Sequence, residues 1–207
     1  MPMRNRVTPL GEIVAIPLRG DWLGNRGILH NGRDIVRTHA SALWIICTLS
    51  HKDWRLPQWQ PHHFTVLFFH DEAVALAAGH RPCALCRRED YNAYRDAWTQ
   101  ALDVRRPLAT EMDRRLHGER NYRGTSRRRW HPADWADLPT GAFVRMEEQP
   151  YLVLDDAIVP WTRQGYGVAR PRPAHGDVEL VTPPSTIAAL RGGYTPQIHP
   201  TAHGSPA

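Results

Sequence analysis

The chain has 207 residues, enough for one large domain or two small ones with a genuine hydrophobic core. No apolar run approaches the ~18 residues of a membrane span and the opening MPMRNRVTPLGE lacks an apolar signal core, so a cytoplasmic protein is expected. The net charge is +5, which suits a polyanionic partner, but Lys52 is the only lysine among 26 basic residues, a skew that a GC-rich genome also produces.

In chain order, residues 1–40 mix apolar pieces such as EIVAIPL with the Gly-rich turns RGDWLGNRG and HNGRD, which predicts short strands and loops. ALWIICTLS (42–50) predicts a buried strand, and FTVLFFH (64–70) a second one pairing antiparallel with it. DEAVALAAG (71–79) predicts a short helix capped by Asp71 and stopped by Gly79. REDYNAYRDAWTQALD (88–103) carries the clearest helical period, with Tyr91, Tyr94, Trp98 and Leu102 on one face. A short helix is expected over TEMDRRLHG (110–118), with Thr110 and Asp113 as a capping box and Gly118 as its end. The turn-rich stretch after it looks like a linker. Beyond it, GAFVRM, PYLVLD, AIVPWT and GDVELVT predict strands, and PPSTIAALRGGY predicts a last helix capped by Ser185 and ended at Gly192–Gly193. The expected organisation is an α+β unit over 1–118, an Arg-rich linker over 119–137, a small β-rich unit with a C-terminal helix over 138–200, and a disordered tail over 201–207.

The three cysteines are too few, and odd in number, for a disulfide framework. Cys83 and Cys86 stand two residues apart after Pro82 with a helix following, the usual form of half a zinc site, in which the helix N-terminus helps offset thiolate charge. Cys47 and His51, four apart on an extended segment, point to the same side and would complete a Cys3His tetrahedron. His70 and His80 compete with His51 for the fourth position. A redox pair and inert buried thiols are the alternatives.

The run EAVALAAGHRPCALCRRED, preceded by the strand FTVLFF, resembles the metal-binding domain of the Ada DNA-repair protein. Ala78, Gly79, Arg81, Pro82, Cys83, Cys86 and Arg87 carry the match, which is specific over 64–90 and weaker over 40–63. The resemblance implies a module of β-hairpin, short helix, Cys-x2-Cys knuckle and long helix holding zinc. It also implies that Cys47 stands where that family accepts a methyl group from a DNA phosphotriester. His51 stands in place of a family cysteine, so the zinc centre would carry a formal charge of about −1 rather than −2, which makes a bound thiolate a poorer nucleophile.

Nine arginines fall between Arg105 and Arg129, opposed by Glu111, Asp113 and Glu119. Guanidinium groups grip phosphate bidentately, and Tyr122 and Trp130 offer stacking surfaces, so nucleic-acid contact is expected at Arg81, Arg87, Arg123, Arg127, Arg128 and Arg129, with DNA favoured over RNA. The first functional expectation is a zinc-stabilised α+β protein that contacts nucleic acid, linked to DNA repair. Its rivals are a methyl acceptor acting through Cys47 and a protein-interaction scaffold with structural zinc.

Overall fold

The computed structural model describes residues 2–52 and 57–204. The first third of the chain lays down short strands: β1 (Arg6–Val7), β2 (Ile13–Val14), β3 (Trp22–Asn25), β4 (His30–Asn31), β5 (Asp34–Ile35), β6 (Ile45–Cys47) and β7 (Leu67–Phe69). After α1 (Glu72–Ala77) comes the two-residue strand β8 (Arg81–Pro82), then the helices α2 (Arg88–Ala101) and α3 (Ala109–Arg120). The remainder contributes β9 (His131–Asp134), β10 (Phe143–Met146), β11 (Gln149–Val153), β12 (Ala157–Thr162), β13 (Gly165–Tyr166), β14 (Arg170–Pro171), β15 (Asp177–Leu180) and α4 (Pro184–Arg191). The α+β class is therefore as expected.

Among the described residues two large sheets organise most of these strands, and β4 and β5 pair separately as a two-stranded sheet. The first runs β2-β1-β7-β3-β6-β8, and the second runs β13-β12-β11-β10-β15-β9 with β14 attached to β12. One cluster of buried apolar side chains extends from Val7 through Leu67, Tyr94, Phe143 and Val159 to Ala202. Among the described residues no helix is long and apolar enough to cross a membrane.

The hairpin expected between 42–50 and 64–70 does not form. β3 lies between β6 and β7 and pairs antiparallel with both, Leu23 facing Cys47 on one side and Phe68 on the other. A hairpin is favoured by a short turn, and the connection over 48–66 is far too long to impose one. The strand that intervenes is buried at Leu23 and Gly24. Its Gly-rich sequence reads as a turn, which is why it escapes a pattern search.

Helix termini show where tertiary contacts override local signals. Asp71 caps α1 as expected, its carboxylate accepting from the Val74 N–H at 2.8 Å, and Gly79 follows at φ +92°. α3, however, starts at Ala109, and the carboxylate that accepts from the Leu108 N–H at 2.7 Å is that of Glu111, not Asp113. Nor does Gly118 end it, because the next residues are held from outside: Arg120 donates to the carbonyls of Gly79 and Ala42 at 2.7 and 2.6 Å, and Glu119 accepts from the Ser185 N–H at 3.0 Å. Ser185 is thus bound to α3 from within the first turn of α4, where Pro183 is the N-cap residue and Pro184 supplies the fixed φ that suits a helix start. The stretch with linker composition contains β9, which pairs antiparallel with β15. The tail keeps a 3-10 turn over Pro200–His203 that buries Ala202.

α2 packs against α4, and Gly192, the C-cap of α4, lies against the α2 backbone: a Cβ there would lie 2.4 Å from the Ala97 carbonyl oxygen. Because that oxygen is backbone, Gly192→Ala must push the helices apart. A loss of roughly 1–3 kcal/mol is expected from overpacking, measurable by urea unfolding; a loss below ~0.5 kcal/mol would show that the contact relaxes freely.

Candidate metal centre

Cys47 is the last residue of β6, and Cys83 follows β8 directly. These strands pair in parallel, Ile45 opposite Arg81 and Ile46 opposite Pro82, and the Cys83 N–H donates to the Ile46 carbonyl at 2.9 Å. The pairing is what carries a thiol from residue 47 across to the knuckle. A turn over 84–87 then brings Cys86 back toward the same point, with the Leu85 N–H 3.4 Å from the Cys83 Sγ and the Arg87 N–H 3.1 Å from the Cys83 carbonyl. The result is three sulfurs all within 4.8 Å of one another, with Cys83 buried and the other two half-buried. All three cysteines are free thiols.

The electrostatics are those of a shared ligand set. Hydrogen bonds from the Cys47 and Cys86 thiols, reinforced by backbone N–H groups, pull the Cys83 thiol well below its ordinary value, whereas Cys47 is pushed up by the same contacts to Cys83 and Cys86 and by burial. One thiolate thus forms readily and the cluster resists further charge. A cation between the sulfurs would relieve that resistance. Tetrahedral zinc, with bonds of about 2.3 Å, places sulfurs about 3.8 Å apart, within the observed spacing.

No protein-family model matches the chain, and neither a curated protein nor a solved structure matches it. Function therefore has to come from the residues themselves.

Of the histidines expected to compete for a fourth position, His51 lines the small cavity of about 180 Å³ that adjoins all three cysteines. His80 is elsewhere, fully buried, accepting at Nε2 from the Arg26 guanidinium at 3.1 Å. His70 packs between Tyr166 and His199, ring centroids 5.1 and 4.5 Å away.

The six arginines expected on phosphate divide in two. Arg81 is buried and donates from Nε and Nη2 to the two carboxylate oxygens of Asp113, each at 2.8 Å. Arg87, equally buried, pairs with Glu72 at 2.8 Å and Asp90 at 2.9 Å and stacks 3.9 Å over the Trp22 ring. Arg128 turns inward to the carbonyls of Ala77 and Ala78, both at 3.2 Å. Arg81 and Arg87 brace the metal segment against α3 and α1, and Arg128 ties the loop after α3 to the end of α1. Arg123, Arg127 and Arg129 are exposed. Arg123 and Arg127 sit on a loop closed by the Asn121–Arg128 bridge and Arg129 follows it directly, with the Arg127 guanidinium 4.5 Å over the Tyr122 ring.

The buried carboxylates Glu72 and Asp113 were not legible as partners. Only one signal points to Asp113: on α3 it shares a helical face with Leu116, an unusual place for a charge unless a cation meets it.

Proposed function

We propose that the protein binds zinc through Cys47, Cys83 and Cys86 with His51 as the fourth ligand, and that the ion serves architecture. The convergence of the three sulfurs from two separate chain segments carries this reading. Zinc would clamp β6 to β8, whose direct pairing spans only two register positions, and would fix the entry into α2. A closed site of four protein ligands leaves no coordination position for substrate, which suits a structural ion. The burial of Cys83 and the adjoining apolar residues Leu23, Ile45 and Phe64 support the same role. One zinc per chain by elemental analysis of the purified protein is the direct test.

Nucleic-acid contact is the accompanying proposal, now confined to Arg123, Arg127 and Arg129, whose exposure on one loop beside Tyr122 favours it. Binding to random-sequence DNA should weaken with salt, log affinity falling with a slope of roughly −0.9 per phosphate contact. Changing all three to alanine should reduce that slope by about 2–3. A salt-independent or unchanged affinity would remove the proposal and leave an interaction scaffold.

A further inference from the structure

We propose that a second cavity, formed where the two sheets meet and lined by Arg19, Asp21, His70, Arg163, Tyr166 and His199, binds a small molecule through a phosphate monoester group. The cavity has a volume of about 690 Å³. Small-molecule sites run from roughly 300 to 1,000 Å³, so there is room for an organic body as well as the phosphate. Its walls come from both sheets. The β2–β3 connection gives Arg19 and Asp21, the end of β7 gives His70, the β12–β13 hairpin gives Arg163 and Tyr166, and the C-terminal segment gives His199.

The floor is built to hold side chains in place. Asp71, buried beneath it, accepts from the Tyr166 hydroxyl at 2.7 Å and from the His199 N–H at 2.9 Å through one oxygen, while its other oxygen caps α1. That single carboxylate ties a hairpin and the C-terminal segment to the helix start. His70 is only 5% exposed, and its Nδ1 is buried without a hydrogen-bond partner among the described residues. Buried polar nitrogens in native proteins almost always find partners, so an orphan just behind a cavity wall is unusual. Gly165, at φ +107°, lays bare backbone against the imidazole edge, where an added Cβ would come 3.4 Å from Cε1.

The charge pattern selects the ligand class. Arg19 and Arg163 are exposed and have no ion-pair partner among the described residues, whereas Asp21 lies 3.9 Å from the His199 Nε2. The wall therefore presents two guanidinium groups without ion-pair partners from separate segments, two imidazoles and the single carboxylate of Asp21, a net positive lining. Burial and the neighbouring His199 hold the His70 imidazole neutral, its pKa lowered to about 4, so at neutral pH it offers one N–H donor. Donors arriving from three directions suit the three terminal oxygens of a phosphate better than the two of a planar carboxylate. Among the described residues only the three cysteines bring three or more ligand atoms within 4.8 Å of one another, so this cavity shows no comparable set of metal ligands.

The test follows the histidine ring resonances of ¹⁵N-labelled protein during titration with phenyl phosphate, with benzoate as the carboxylate arm and His70→Gln used to assign the signals. Saturable shifts at His70 and His199 are expected at millimolar concentrations of phenyl phosphate, and little response to benzoate. Arg19→Ala and Arg163→Ala, both at exposed positions, should each weaken binding roughly tenfold or more by removing a charge-assisted contact, while Arg106→Ala, in an exposed pair with Asp96, should leave it unchanged. Absence of saturable shifts up to about 20 mM would overturn the site. An equal response to benzoate, or undiminished binding in both arginine variants, would overturn its assignment to phosphate.

Discussion

Cys83→Ser is expected to abolish zinc binding and to destabilise the protein by several kcal/mol. Cys83 is the most buried of the three ligands and the one whose backbone N–H pairs with β6, so its sulfur sits where the two halves of the site join. Without the ion, β6 and β8 keep only the pairings at Ile45–Arg81 and Ile46–Pro82, and the half-formed set of thiols has no common partner. Structural zinc contributes on the order of 10 kcal/mol in isolated zinc-finger peptides. Here the two sheets and four helices provide an independent core, so partial loss of structure is expected rather than unfolding. A loss of about 4–5 kcal/mol corresponds to a fall in melting temperature of roughly 10–20 °C for a chain of this size. Elemental analysis should show zinc falling from one per chain to none, and a chelator should lower the melting temperature of the wild-type protein but not of the variant. His51→Ala should weaken zinc affinity while leaving the three thiolates to hold it. Zinc-free wild-type protein from zinc-supplemented growth would refute the centre; unchanged affinity in His51→Ala would remove only the fourth ligand.

Asp113→Ala should cost about 3–5 kcal/mol, the penalty for leaving a buried charge without its partner. The Arg81–Asp113 pair is bidentate at 2.8 Å with side chains 2% and 7% exposed, and among the described residues Arg81 has no second carboxylate partner: its remaining hydrogen bond goes to the Pro82 carbonyl. Arg120 adds further positive charge around Asp113. The double variant Arg81→Met/Asp113→Leu should recover most of the loss, because an apolar pair of similar volume needs no desolvation of charge. Asp96→Ala provides the contrast. Its pair with Arg106 is more than half exposed on both sides, and its removal should cost less than ~1 kcal/mol. Denaturant midpoints of the four proteins decide the matter. A loss below 1 kcal/mol in Asp113→Ala would mean that water reaches Arg81 and that the pair is not sealed in the interior.

Both predictions rest on residues whose roles differ in legibility. The knuckle of Cys83 and Cys86 follows from spacing alone, since two residues between cysteines before a helix leave few arrangements in which the thiols diverge. Cys47 was legible as a candidate because it is the one remaining cysteine, and His51 four positions later on an extended segment falls on the same side. Arg81, Arg87 and Arg128 were legible only as cations. A guanidinium carries the same sequence signal whether it meets a phosphate or a carboxylate, and whether Asp113 and Glu72 stand opposite is decided by which helix faces pack together.

The sequence by itself determined the α+β class, the main helix with its face of Tyr91, Tyr94 and Trp98, the Asp71 cap, and the identity of the thiols that meet. Those properties depend on contacts a few residues apart or on side-chain chemistry that any fold would have to accommodate. Only the tertiary structure decided that β3 separates β6 from β7, that α3 runs past Gly118, and that half of the expected phosphate-binding arginines are interior struts. It alone brought His70 and His199 together over Asp71. Strand order and buried charge pairing join residues dozens of positions apart, and the free energy that selects them comes from burial and desolvation across the whole core, which no local pattern records.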